Sequence, residues 1–340
     1  MTIRVGIIGA GNISETHARV ASEIEGVKIA AVYGQNRKRA AQLAERYECA
    51  AFDDLDMFLK HRPMEVVAIG SPSGLHAEHG IAAARHNLHA LVEKPIDIST
   101  ERADALISEC EKAGVKLGVF FQDRMATDLC KLKEMIEAGR LSKPFLVSAR
   151  VKWHRGAEYY SNSRWRGTTA LDGGGALINQ GIHTVDLMLW LMGDVSRVYA
   201  KGITALHRIE VEDTLVATME FESGAIGTLE ATTAAYPGYP RCLELTGAEG
   251  TITIEHDRII SADLRSPIED LKNLKEHDSN AAAVSPVVSD TRGHKRIFED
   301  FLKAIETGSI PRCDGREGRR SVKVVEAIYQ SSSEGRAVRL

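Results

Sequence analysis

Asn179, His183 and Asp186 stand four and three residues apart, so a helix through them presents all three on one face. Only the imidazole changes charge near neutral pH without a large shift, which suits a general acid or base. An amide takes no proton, but Asn179 can hydrogen-bond a hydroxyl or orient His183. Asp186 is open to two readings, a part in the chemistry or a buttress of the helix. The run Gly173-Gly174-Gly175 leads into this segment.

A second constellation lies at the start of the chain, where Gly9-Ala10-Gly11-Asn12-Ile13-Ser14 follows the apolar run Ile3–Ile8. Gly9 permits a tight turn and Gly11 lets backbone approach a pyrophosphate. The helix opening at Asn12 and Ile13 offers free N–H groups and a partial positive charge. Ser14 replaces the third glycine, so the dinucleotide fingerprint is degenerate and its strand–turn–helix context carries the reading. After the second apolar run comes Tyr33-Gly34-Gln35-Asn36-Arg37-Lys38-Arg39. No acid is present there to bind the adenine ribose or repel a 2′-phosphate. NADP is therefore favoured slightly over NAD, with Arg37 or Lys38 on the phosphate and Gly34 and Asn36 alongside. The alternative is a solvated charge run at a helix start.

A third set is scattered through the second half: Arg124, Lys152, Arg155, Trp165, Arg166 and Tyr236. Aromatic faces pack on sugar C–H surfaces and arginines clamp anions. The mix points to a polyhydroxyl substrate, with an anion-bearing one such as a uronate or sugar nucleotide as the narrower reading. Against this, Arg164 and Arg166 could simply pair with Glu158 and Asp172 on a loop.

These groups need elements to hold them. The first 120 residues alternate short apolar runs (Ile3–Ile8, Val27–Tyr33, Glu65–Ile69, His89–Val92, Lys116–Phe121) with amphipathic stretches (Ile13–Ile24, Arg37–Tyr47, His76–His86, Thr100–Lys112). That alternation predicts an α/β Rossmann domain over 1–121, a doubly wound parallel sheet. Ser99 or Thr100 should cap the last helix, and Asp53 a short one. From 122 to 340 an α+β domain with a large, mainly antiparallel sheet is expected. Its helices fall at Ala126–Ala138, Gly174–Met192, His294–Glu306 and Glu317–Ser332. Its strands fall at Phe145–Trp153, Val195–Thr204, Thr214–Phe221, Ala225–Thr233, Cys242–Thr246 and Thr251–Glu255. The stretch from Ser266 to about Asp290 is polar and patternless, read as a surface excursion.

Composition narrows the class. Of 340 residues, 44% are hydrophobic and 26% charged, with a net charge of −4. Neither nucleic acid nor an anionic membrane surface is an expected partner. The five cysteines are scattered, with neither metal-ligand spacing nor a disulfide framework, so no metal is expected. With no apolar run of spanning length and no room for a leader before Ile3, the expected location is the cytoplasm.

At Ser71-Pro72-Ser73-Gly74-Leu75-His76 and Glu93-Lys94-Pro95 the chain resembles the glucose–fructose oxidoreductase / inositol dehydrogenase / rhizopine catabolism family. The likeness extends over Gly173-Gly174-Gly175, His183-Thr184-Val185-Asp186 and the closing stretch from Ser321 through Arg336-Ala337-Val338. It implies a nicotinamide-dependent oxidoreductase acting on a secondary alcohol of a sugar or polyol. Ser71, Pro72, Ser73, His76, Glu93 and Lys94 then join the cofactor side. Lys94 and His183 take the catalytic roles beside the nicotinamide, with Asn179 where many relatives carry Asp, and a homodimer or homotetramer is expected. Two other readings remain at this stage: a glycosidase or eliminase that retains its nicotinamide, and a non-catalytic regulatory protein.

Overall fold

The computed structural model describes residues 2–266 and 290–340. The chain divides into two units, Met1–Gln122 with Val287–Arg319, and Asp123–Pro286 with Arg320–Leu340. The first unit is thus not the contiguous 1–121 block expected. A late segment rejoins it because one helix there carries a wide apolar stripe.

The first unit is built on a six-stranded parallel sheet: β1 (Ile3–Ile8), β2 (Val27–Tyr33), β3 (Ala50–Phe52), β4 (Val66–Ile69), β5 (His89–Val92) and β6 (Leu117–Val119). The strand order is β3-β2-β1-β4-β5-β6, which reverses direction between β1 and β4. Val5, Ile7, Ile8 and all of β4 are buried, as strands covered on both faces must be. The crossover helices are α1 (Asn12–Ser22), α2 (Arg37–Arg46), α3 (Leu55–Lys60), α4 (His76–Arg85) and α5 (Thr100–Ala113). Ser99 caps α5 as expected, accepting the Arg102 N–H. The cap of α3 is Asp54, which accepts the Met57 N–H at 2.8 Å, rather than Asp53. The late helix, α9 (Arg292–Thr307), buries Ile297, Phe298, Phe301 and Leu302 and packs against α1.

The second unit holds an eight-stranded sheet of β7 (Leu146–Lys152), β8 (Val195–Ile203), β9 (Thr214–Phe221), β10 (Ile226–Thr232), β11 (Cys242–Gly247), β12 (Gly250–Glu255), β13 (Arg258–Leu264) and β14 (Val338–Arg339). Its order is β13-β12-β11-β7-β10-β9-β8-β14. Every pairing is antiparallel except β7 with β10, which runs parallel from Leu146↔Ile226 to Lys152↔Thr232. Side chains alternate across a strand. Val147, Ala149, Val151, Ala217, Leu229 and Ala231 are buried on the inner face, while Tyr199, Val216 and Ile226 on the other are about half exposed. The helices are α6 (Thr127–Glu137), α7 (Ala157–Ser161), α8 (Ile182–Met192) and α10 (Gly315–Glu334), of which the first few residues of α10 belong to the first unit. The patternless stretch foreseen near 266–290 falls almost wholly outside the described residues.

One expected helix differs in kind. Instead of running unbroken from Gly174, the chain makes a π-helical turn over Ala176–Gly181 before α8 begins. At this turn the backbone passes close to Glu212. The Ala176 N–H bonds the Glu212 carbonyl at 3.0 Å, and a Cβ on Gly175 would stand 1.7 Å from that oxygen. No other residue type fits there.

Candidate active site

On the first unit the candidate residues gather at the carboxyl ends of β1 and β4, the point of reversal where ligands of such sheets bind. Gly9 sits at φ +115° and its N–H bonds the Tyr33 carbonyl at 2.8 Å. A Cβ there would lie 2.7 Å from the Gly70 carbonyl oxygen. Gly11 caps α1 in an extended conformation, and among the described residues no side-chain hydrogen bond caps that helix start. A Cβ on Gly11 would meet nothing within 4 Å. Unclaimed donors, a helix N-terminus and open space above Gly11 fit a pyrophosphate. Ser14 answers for the missing third glycine. It is fully buried, and its hydroxyl donates to the Gly70 carbonyl at 3.3 Å, tying α1 to the end of β4.

At the end of β2 the expectations hold less simply. The Asn36 side chain accepts the Arg39 N–H at 3.1 Å and so caps α2. Arg37 is exposed and lies 3.8 Å from Asp53, an acid supplied by the loop after β3. The strand end itself has no acid, but its surroundings do.

Around the Ser71 and Glu93 segments the structure separates ligand-facing from supporting side chains. His76 is buried, its two ring nitrogens 2.7 Å from the Pro95 carbonyl and 2.9 Å from the Ser71 carbonyl. Burial pushes its pKa down, opposed by those carbonyls. It joins the Ser71 loop to the Lys94 loop and has no nitrogen left for a cofactor. Glu93 also turns inward. Its carboxylate meets His17 Nε2 at 2.9 Å, accepts the Lys94 N–H at 3.1 Å and has His294 Nε2 at 3.8 Å. Burial alone would raise its pKa, but the His17 hydrogen bond and the charges of His17, His294 and Lys94 outweigh it, down to about 2. The His17 ring stacks on Phe120 at 4.4 Å. Lys94 itself is partly exposed at the end of β5, on a backbone fixed by Glu93 and His76.

On the second unit His183 lies in the first turn of α8, 9% exposed. Asp123 Oδ2 stands 3.9 Å from its Nδ1, a charge neighbour too far for a hydrogen bond. Arg241 in turn pairs with Asp123. Neither Asp123 nor Arg241 was foreseen, since each lies far from His183 in sequence. Asn179, in the π-helical turn, donates to Asp172 Oδ1 at 2.6 Å and accepts from Gln180 Nε2 at 3.2 Å. Gln180 Nε2 also reaches the Tyr159 hydroxyl at 3.0 Å.

Two residues expected to bind substrate do other work. The Arg124 guanidinium makes a buried two-point pair with Asp186, at 2.8 and 2.7 Å. This also settles Asp186 as a buttress. Lys152 pairs with Glu230 at 2.6 Å, half exposed. It sits on the face opposite buried Val151, hence away from the helices. Tyr236 is 79% exposed, touching only the edge of His154 among ring contacts. Arg155, Trp165 and Arg166 do come together around Tyr159. Arg166 lies 4.3 Å from the Tyr159 ring centre and 5.3 Å from that of Trp165, and Arg155 lies 5.5 Å from Tyr159. Among the described residues no group of three His, Cys, Asp or Glu could hold a metal ion. No helix among them is long and apolar enough to cross a membrane.

Comparisons with known proteins accord with this geometry. Residues 3–121 match the model of an oxidoreductase family with an NAD-binding Rossmann fold. Residues 129–253 match that of the GFO/IDH/MocA C-terminal domain. The chain is 30% identical to the WlbA dehydrogenase of Bordetella pertussis, solved in complex with NADH and UDP-GlcNAcA. That likeness covers 100% of this chain and 99% of the other, at a TM-score of 0.89. It is 25% identical to a myo-inositol 2-dehydrogenase of Thermotoga maritima, over 99% of this chain and 98% of that protein. It is 26% identical to a D-glucoside 3-dehydrogenase of Escherichia coli, over 99% and 97%. The chain therefore belongs to the GFO/IDH/MocA family of NAD-binding oxidoreductases.

Proposed function

We propose that this protein oxidises a secondary alcohol of a sugar, polyol or sugar derivative, or reduces the matching ketone. The observation that carries the reading is the uncapped start of α1 with open space over Gly11, a cradle for a dinucleotide at the switch point of the sheet. The similar proteins named for inositol and glucoside oxidation support the substrate class. When bound, the nicotinamide supplies or accepts the hydride.

His183 takes the hydroxyl proton as the C–H bond breaks and returns it in the reverse direction. The negative Asp123 carboxylate beside it stabilises the imidazolium so formed. The Lys94 ammonium donates a hydrogen bond to the oxygen left behind and stabilises its charge. Asn179, with its Nδ2 held by Asp172, orients the substrate hydroxyls and carries no proton.

The cofactor preference is for NADP over NAD, and it is small. No acid ends β2, and Arg37 and Lys38 are at hand for a 2′-phosphate, but Asp53 offsets the charge of Arg37. The half-exposed apolar face of the eight-stranded sheet is assigned to pairing of copies as a homodimer or homotetramer. A monomer by light scattering at micromolar concentration contradicts that assignment.

The test is a panel of polyols, aldoses and sugar derivatives with each cofactor, read at the reduced-nicotinamide absorbance. His183→Ala and Lys94→Met are each expected to lower kcat by about 100-fold to 10,000-fold. Turnover of no alcohol, or full activity in both variants, refutes the reading.

A further inference from the structure

We infer that Arg166, with Arg155 beside it, recognises an anionic group carried by the substrate, a carboxylate or a phosphate. This rests on the reading of the second unit as the substrate side.

The Arg166 guanidinium is partly exposed and stacked on two aromatic rings, Tyr159 and Trp165. Among the described residues it makes no ion pair and no side-chain hydrogen bond, and its Nε is buried with no acceptor. Stacking occupies the faces of a guanidinium and leaves its in-plane N–H edge to choose a partner. A structural arginine stacked in this way ordinarily has a carboxylate or carbonyl on that edge.

A second cation sharpens the point. Arg155 is 5% exposed and lies against both Tyr159 and Trp153. Burial pushes its pKa below the ordinary value, and the charge of Arg166 pushes it the same way. Two like charges sharing one aromatic cluster raise the local positive potential and so favour an anion beside Arg166. A nearby carboxylate, that of Asp172, directs Oδ2 to the Gly167 N–H and Oδ1 to Asn179.

The cluster is also wired to the proposed reacting centre. Tyr159 accepts from Gln180, and Gln180 donates to Asn179, which precedes His183 by four residues. Gln180 is buried, with its Oε1 lacking a donor. A sugar acid offers both what Arg166 lacks, an anionic acceptor, and what Gln180 lacks, a hydroxyl donor.

The experiment uses the full chain and three probes: a hexuronate, the hexose phosphate and the parent hexose. Binding is read by fluorescence of Trp153 and Trp165, the rings under the two guanidiniums, and turnover by nicotinamide absorbance. The wild type is expected to bind one anionic probe at least about tenfold tighter than the parent hexose. The preferred probe identifies carboxylate or phosphate as the source. Arg166→Met is expected to reduce the anionic-to-neutral ratio of kcat/KM about 10-fold to 100-fold, chiefly through KM, and Arg166→Lys to recover part of it. Far-UV circular dichroism confirms that both variants fold. Equal binding of all three probes, or an unchanged ratio in Arg166→Met, overturns the inference while leaving the redox reading intact. Tight anion binding without turnover of any probe upholds the anion site and counts against the oxidoreductase substrate class instead.

Discussion

Replacing Glu93 by Gln tests whether the interior of the first unit is organised around a buried negative charge. Glu93 is held at a pKa of about 2 against an ordinary 4.5 by His17, His294 and Lys94, in spite of burial that acts the other way. A shift of that size corresponds to about 3 kcal/mol of stability at neutral pH. The folded value lies below the unfolded one. The contribution is therefore complete above about pH 4.5 and is lost as pH falls toward 2. Glutamine keeps the shape and one acceptor but not the charge. The wild type should exceed Glu93→Gln by about 3 kcal/mol from pH 7 to pH 5, with the gap closing to about 1 kcal/mol near pH 3. Native-state hydrogen exchange of β4 and β5 amides reads the opening free energy of this unit, and urea unfolding gives the bulk value. Equal stability at pH 7, or a gap that widens on acidification, refutes the assignment of Glu93 as an inward-facing anion.

Two further outcomes follow from the same geometry. Arg124→Met leaves Asp186 charged and buried and should cost about 3–5 kcal/mol in urea unfolding, whereas Arg124→Met with Asp186→Leu should recover most of it. If the double variant is as unstable as the single one, the pair is not what the two residues contribute. Gly11→Ala places a methyl in open space, so stability should change by less than about 0.5 kcal/mol. NADH affinity measured by fluorescence titration should nevertheless fall about tenfold, because the methyl stands where the pyrophosphate approaches. Unchanged affinity removes Gly11 from the cradle.

What the sequence made legible was whatever burial writes locally. Strands covered on both faces read as unbroken apolar runs, so β1, β2, β4 and β5 were found within a residue or so of their ends. The half-covered sheet of the second unit alternates, and β9 was placed to the residue. The element missed in the first unit, β3, is three residues long and only partly buried, too short for either pattern. In the second unit β13 and β14 were missed for similar reasons, lying at the two sheet edges where half the signal is absent. At the site, Gly9, Gly11 and the His183 helix were legible because backbone demands leave glycines in the sequence. The fate of charged side chains was not. Arg124 chooses Asp186 from 62 residues away, and Glu93 chooses His17 from 76. Nothing in composition or spacing announces a partner at that range, which is why Arg124 and Lys152, assigned to substrate, proved to be otherwise engaged.

Those long-range choices have a common effect on α8. Its approach is fixed by the Glu212 carboxylate, which accepts the Gly175 N–H at 2.8 Å and the Leu177 N–H at 2.9 Å, and which Tyr329 holds at 3.0 Å. Its middle is fixed by Asp186 on Arg124, with the Ser321 hydroxyl at 3.3 Å. Its end is fixed by Lys133, whose ammonium donates to the Trp190 carbonyl at 2.8 Å. A helix held at one point can still rotate and slide. Held at three, by groups from different elements, it has one position for the His183 imidazole, and none of the holding residues needs to touch a substrate. Proton transfer demands hydrogen-bond distances set to fractions of an ångström. The buried charges of the second unit are therefore best understood as the means by which α8 meets that demand.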